Sequence, residues 1–288
     1  MLTGVSWLPD RDRRMRRRRS PCTRSRSTGR GEASHPKDLD GLRDRGRIHE
    51  ADVLTRTTGQ QFHATAIPQY FTGNLSSRLV LVHLNPKQSL FDEVPSRYGT
   101  KVPIMEQYIN LHTHFGVRIY CKGASRTHRS PFDHKQIRFL RPFGLIDFVS
   151  EDGSESKWIN LERVIDRKLQ LEVIPYQSTE FRMRGMTPEV LDPHWRQLLD
   201  TLVAVDRDYI IFCGRVLAPT LENWIVRRHH FRLKKDDGGL TRSLASFHEL
   251  RVPYGGLRLK AGFAPTFAQR GIPMDAYGAQ CAALSNWS

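Results

Sequence analysis

Apolar positions are sparse at the start of the chain and then arrive in short runs separated by turn residues. The densest is Arg78-Leu79-Val80-Leu81-Val82-His83-Leu84. A near-continuous, β-branched run of this length, bounded by turns, suits a strand covered on both faces, as in a parallel sheet. Asn85-Pro86 ends it, because proline has no N–H to give to a ladder. Leu169–Ile174 reads as a second strand ending at Pro175, and Tyr209–Cys213 as a third closed by Gly214. Between them, helical spacing is carried by Ile104, Tyr108, Leu111 and Phe115 over 102–115, with Gly116 as a stop. It returns with Leu191, Trp195, Leu198 and Leu202, after a Thr187-Pro188-Glu189 start signal. Val216–Arg228 reads as a further helix with Leu217, Leu221, Trp224 and Ile225 inward, and Arg227-Arg228-His229-His230 as its solvated end.

Late strands are expected at Ala245–Leu250 and Leu257–Phe263, and a short helix at Met274–Ala283. Leu140–Phe148 suits an edge strand or short helix. Strand, turn and helix in succession is the pattern of an α/β fold. The expected architecture is a three-layer α/β/α sandwich with a mainly parallel central sheet. Residues 48–288 would form its single domain, with regular order beginning near Ile67 and a basic insertion near 117–160.

Composition changes this picture at the N-terminus. Residues 1–47 are rich in Arg, Ser, Gly and Asp with almost no apolar periodicity, and read as a disordered basic tail. A nucleic-acid tether, an address signal and a start codon set too far upstream all fit, so no function is placed on it. The net charge is +15; residues 11–30 hold ten Arg against one Asp, yet residues 48–288 keep a surplus of +7. A basic body favours DNA or another polyanion as partner. No run approaches the roughly 18 apolar residues of a membrane span, and the first apolar residues precede the basic run rather than follow it, unlike a secretory signal. A cytoplasmic protein with no membrane association is expected. The four cysteines (Cys22, Cys121, Cys213, Cys281) are scattered and contain no CxxC pair, so neither zinc site nor disulfide framework is read; Cys213 is expected to be a small buried residue. His112, His114, His128 and His134 show no ligand motif and read as surface histidines. No cofactor or metal is expected. The oligomeric state is not legible.

Ligands of open α/β sheets sit beyond the carboxyl ends of the strands, which here means Asn85-Pro86-Lys87, Pro175-Tyr176-Gln177-Ser178 and Gly214-Arg215. The run Ile67-Pro68-Gln69-Tyr70-Phe71-Thr72-Gly73, with Leu79–Pro86 after it, resembles the opening of the uracil-DNA glycosylase-like superfamily. It is closest to members whose first strand ends in Leu-Asn-Pro-Gly. Leu171–Ser178 and Ile210–Gly214 are similar to later segments of those members. The resemblance covers patches between Ile67 and Gly214. It implies hydrolysis of an N-glycosidic bond in DNA, with Asn85 orienting the attacking water and Phe91 or Tyr98 stacking on a flipped base. Substrate contacts would come from Pro86, Lys87, Tyr176, Ser178, Thr266 and Arg270. Two departures stand against catalysis: Lys87 occupies a glycine position, and the late His-Pro-Ser motif is absent, its nearest counterpart at 262–270 having no histidine before the proline. A non-catalytic nucleic-acid binder on the same fold is therefore the alternative, and an unrelated α/β protein a third. Each motif also has a plain structural reading: Asn85-Pro86 terminates a strand unaided, Pro175-Tyr176 is a turn with a packed ring, and Tyr98 suits a core.

Overall fold

The strand with the least polar sequence is also the one at the centre of the fold. In the computed structural model, which describes residues 35–85, 102–113, 131–150, 152, 154–234, 239–251, 258–264 and 273–285, Leu79–His83 forms strand β2. Every residue in it is buried, with Val80, Leu81 and Val82 at 0% exposure. Strand side chains alternate between faces, so β2 needs apolar cover on both. Val80 and Val82 join one core, with Leu169, Leu171, Ile210 and Phe212 beside them. Leu79 and Leu81 join a second core on the opposite face, with Ile211 and Cys213.

Seven strands form one sheet: β1 (Phe71–Gly73), β2, β3 (Leu169–Glu172), β4 (Tyr209–Cys213), β5 (Ile225–Lys234), β6 (Leu240–Arg251) and β7 (Arg258–Ala264). Their spatial order is β1-β3-β2-β4-β7-β6-β5. The inner four, β3-β2-β4-β7, are mutually parallel. The flanks are antiparallel: β1 on β3, and the β6–β5 pair on β7. The sheet is thus mixed, which corrects the expectation of a mainly parallel one. The cause is the hairpin β5–β6, which returns the chain locally instead of by a helical crossover.

Helices cover both faces. On the first core lie α1 (His35–Arg45), α2 (His49–Thr58), α3 (Met105–Thr113) and α6 (Pro188–Val203). On the second lie α4 (Pro131–Leu140), α5 (Ser154–Arg167) and α7 (Met274–Ser285). Helix α6 begins as its sequence predicts: Thr187 is extended and its side chain accepts from the Val190 N–H, with Pro188 in the first turn.

Two further expectations need correction. The expected disordered tail does not extend over residues 35–45, where α1 is helical and buries Asp38, Leu39 and Leu42. Two apolar residues in eleven give no readable period. The helix expected over Val216–Arg228 is a 3-10 stretch, Arg215–Trp224, with Pro219 inside it. The chain then turns into β5, where β-branched Ile225-Val226 and pairing with β6 override the helical spacing. Of the two forms expected for Leu140–Phe148, the short helix is the one present: Leu140 ends α4, and a 3-10 helix follows at Arg141–Phe143. Residues Ala33–Ser288 form one compact unit, and among the described residues no helix is long and apolar enough to cross a membrane.

Helices α4 and α7 approach so closely that Gly278 of α7 has no room for a side chain: a Cβ there would lie well inside contact distance of the Phe139 carbonyl oxygen. Because the obstacle is backbone, the helices must part to relieve it. Gly278→Ala is expected to lower stability by about 2–3 kcal/mol in urea denaturation, against the gain of up to ~1 kcal/mol that Gly→Ala gives in an unobstructed helix.

Candidate functional site

The strand order fixes where a ligand cleft belongs. From β2 the chain crosses to β3 on one side, then returns past β2 to β4 and on to β7. The direction reverses between the first and third parallel strands, and in open α/β sheets ligands bind outside the carboxyl ends at such a point. Here those ends are Asn85, after β2, and Gly214, after β4.

Backbone pairing of β2 with the β3 segment runs to the end of the strand: Val173 N–H donates to His83 O and Ile174 N–H to Leu84 O, both at 2.9 Å. Two residues beyond Leu84 stands Pro86, which has no N–H to continue the ladder. The side chain of Asn85 takes over. Its Nδ2 donates to Ile174 O at 3.3 Å and to Tyr176 O at 2.5 Å, and its Oδ1 accepts from Ser178 Oγ at 2.5 Å. Asn85, Tyr176 and Ser178, three residues singled out by sequence, are therefore joined in one hydrogen-bonded set. Both amide hydrogens are used; one of the two acceptor positions on Oδ1 is not used by these bonds.

The loop that Asn85 grips is held from its other side. Gln69 N–H donates to Pro175 O at 2.7 Å and His63 N–H to Gln177 O at 2.9 Å, so the segment before β1 lies along it. The Tyr176 ring is 3% exposed and its hydroxyl donates to Asp38 Oδ2 at 3.0 Å. The Tyr70 hydroxyl donates to the same oxygen. Tyr176 thus stands as a buried anchor with its backbone carbonyl, not its ring, turned to Asn85.

Asp38 is 1% exposed. Burial pushes its carboxyl up to about 7; the Tyr70 and Tyr176 hydroxyls oppose this, and neighbouring Glu50 adds to it. His194, whose ring meets Tyr176 edge-on, is pulled down to about 4 by burial. Beside them is a cavity of about 30 Å³ lined by Tyr70, Phe71, Val173, Pro175, His194 and Thr201. That is the space of roughly one water, far too small for a nucleobase, and Asn85 is not in its wall.

A second polar group lies on the other face. In register at the carboxyl ends are Glu172 and His83, with Cys213 at the end of β4. Glu172 is 6% exposed, accepts from Gln170 Nε2 at 2.9 Å, and is raised to about 8 by burial. Burial lowers His83 to about 3 and raises the Cys213 thiol, which is 2% exposed, as expected of a buried apolar residue. Among the described residues no His, Cys, Asp and Glu set could hold a metal ion. His112, expected at the surface, is fully buried, stacks on Tyr108 with ring centroids 3.9 Å apart, and meets the Tyr108 carbonyl at 2.9 Å.

Pro86, Lys87, Phe91, Tyr98, Thr266 and Arg270 lie outside the described residues. Sequence reasoning missed Asp38, Glu50, His194 and Glu172. Only Tyr70 and Tyr176 carried a signal, since buried tyrosine hydroxyls require partners.

Asp38 gives a pH prediction with a definite sign. Its folded pKa, about 7, lies above the unfolded value, so its contribution to stability is full below about pH 4 and is lost as pH rises through 7. Asp38→Asn keeps an oxygen for both hydroxyls and removes the charge. In urea denaturation from pH 5 to pH 8 the variant should gain steadily on the wild type; parallel stability curves would contradict the assignment. Comparison of the chain with protein-family models, curated proteins and solved structures finds no match.

Proposed function

We propose that the chain is a nucleic-acid-associated protein built as a three-layer sandwich of the uracil-DNA glycosylase type. Its cleft outside β2 and β4 would hydrolyse the N-glycosidic bond of a flipped nucleotide. The observation that carries this reading is the Asn85 amide, held at the switch point by bonds to Ile174, Tyr176 and Ser178. These bonds fix its plane and leave one Oδ1 acceptor position for a water.

The chemistry follows from that polarity. A water donating a hydrogen to Oδ1 keeps a lone pair to direct elsewhere, toward C1′ of the sugar. The C1′–N bond breaks with its electron pair leaving on the base, the water oxygen bonds to C1′, and its proton passes to solvent or to the departing base. An amide does not act as a strong base, so Asn85 contributes orientation. Extrusion of the nucleotide and stabilisation of the leaving base supply the rest. Phe91 and Tyr98 as stacking rings, and Lys87, Thr266 and Arg270 as phosphate contacts, enter as sequence assignments; Pro86 and Ser178 would border the cleft.

A second reading, a non-catalytic nucleic-acid binder on the same fold, is favoured by the same bonds. Three of Asn85's hydrogen-bonding positions are spent on its own chain, as in a strut, and Lys87 and the missing late histidine point the same way.

The readings separate in a base-release assay on single-stranded and duplex oligonucleotides carrying uracil, hypoxanthine or mismatched bases. The glycosylase reading expects release from at least one substrate, reduced about 10²-fold or more in Asn85→Ala. No release from any of them leaves the binder, and release unchanged in the variant removes Asn85 from the chemistry.

A further inference from the structure

Helix α1 is attached to the body by little. Of its described side chains Asp38, Leu39 and Leu42 are buried, and two leucines are a small apolar anchor for eleven residues. Arg43 adds a bond to the Pro103 carbonyl at 3.2 Å. A helix of this length is marginal on its own in water, so α1 stays helical while it is docked.

The polar centre of the attachment is a carboxyl group. Asp38 Oδ2 accepts from the Tyr70 hydroxyl, ahead of β1, and from the Tyr176 hydroxyl, in the loop that Asn85 grips. Asp38 Oδ1 is buried and accepts from neither. From α2 a second carboxyl, Glu50, faces Asp38 within hydrogen-bonding reach. Two carboxylates repel each other, but a carboxyl donates to a carboxylate with one proton between them. A protonated Asp38 therefore bonds to Glu50 while Oδ2 still accepts from both tyrosines. An ionised Asp38 has a buried oxygen without a donor and a like group in front of it.

Around this centre few groups change charge near neutrality. Burial pulls His194 of α6, edge-on to Tyr176, and His112 of α3, stacked on Tyr108, down to about 4. It pushes the Tyr70 and Tyr176 hydroxyls well above the ordinary tyrosine value. On α1 itself the flanking charges are Lys37, Asp40 and Arg43, and the last two pair at 2.8 Å. Asp38, raised by burial to about 7, changes charge within the window. When α1 leaves the body this carboxyl returns to the ordinary range near 4. Docking is therefore strongest below about pH 4, weakens about tenfold per pH unit up to about 7, and levels off above.

We propose that α1 is a proton-released clamp on the loop at the carboxyl end of the central strand. With a proton between Asp38 and Glu50 it holds Tyr176, and through it the loop that Asn85 grips. On losing that proton it leaves the body while the sheet stays folded. The loop keeps its bonds to Gln69 and His63, so it loosens without unfolding. The edge of the cleft is thus firm at acidic pH and looser at alkaline pH. The clamp does not depend on what Asn85 does there; it would regulate base release or plain nucleic-acid binding alike, and its test uses neither.

The test is hydrogen exchange of the full-length chain, followed by mass spectrometry from pH 5 to pH 8, with rates corrected for intrinsic exchange. Peptides over residues 37–46 report α1, those over 173–178 the loop, and those over 209–213 strand β4. At each pH α1 should be at least about 100-fold less protected than β4, with the loop between them, because α1 opens without global unfolding. Protection of α1 should fall about tenfold per pH unit from 5 to 7 and level off above. In Asp38→Asn the amide oxygen accepts from both hydroxyls and the amide nitrogen donates to Glu50, so α1 protection should be flat across the range. Protection of α1 equal to that of β4, a loop as protected as β4, no change of α1 with pH, or the same change in Asp38→Asn overturns the proposal. If Asp38→Asn does not keep the wild-type circular dichroism, Glu50→Gln, at an exposed position, makes the comparison. Glu50 raises Asp38, so its removal should bring the levelling point to lower pH; an unchanged profile overturns the proposal.

Discussion

A strand with no exposed side chain has to be covered on both faces, and the rest of this fold follows from that requirement on β2. Val80 and Val82 draw α1, α2, α3 and α6 to one side through a shared core. Leu79 and Leu81 draw α4, α5 and α7 to the other. Neither cover is optional, because uncovering either face of β2 would expose fully buried aliphatic side chains at roughly 1.5–3 kcal/mol each.

The same burial creates a problem at the strand's end. Backbone groups there are shielded from water and need partners, and Pro86 has no hydrogen to offer. The Asn85 side chain solves this by acting as an extra backbone amide toward Ile174 and Tyr176, and Ser178 completes the set. The loop so gripped is in turn tied through Tyr176 to Asp38 of α1. A helix near the start of the described chain and the carboxyl end of the central strand thus belong to one polar network. A residue held this firmly suits either of two roles, positioning a water or bracing a loop.

Much of the frame was legible in sequence, for identifiable reasons. Strands β2, β3 and β4 are short apolar runs closed by Pro or Gly, and α6 has both a cap and a clean apolar face. Helix α1 was not legible, because its attachment rests on Leu39, Leu42 and one buried carboxyl amid charge. Strand β5 was not, because Leu217, Leu221, Trp224 and Ile225 have helical spacing up to the residue where the strand begins. Of the candidate site, Asn85, Tyr176 and Ser178 were found as members of separate loops. Their mutual bonds depend on β2 and β3 being parallel neighbours, which no local pattern encodes. Asp38 had no signal of its own; its partners' hydroxyls were the only trace.

The central claim is that the carboxyl ends of β2 and β3 are locked together by the Asn85 side chain. A double-mutant cycle on folding stability with Asn85→Ala, Ser178→Ala and the pair measures this most directly. The account predicts a coupling of about 1 kcal/mol, with the double variant less destabilised than the sum of the singles. Effects that add to within about 0.3 kcal/mol would mean that the two side chains do not act together, and would contradict it.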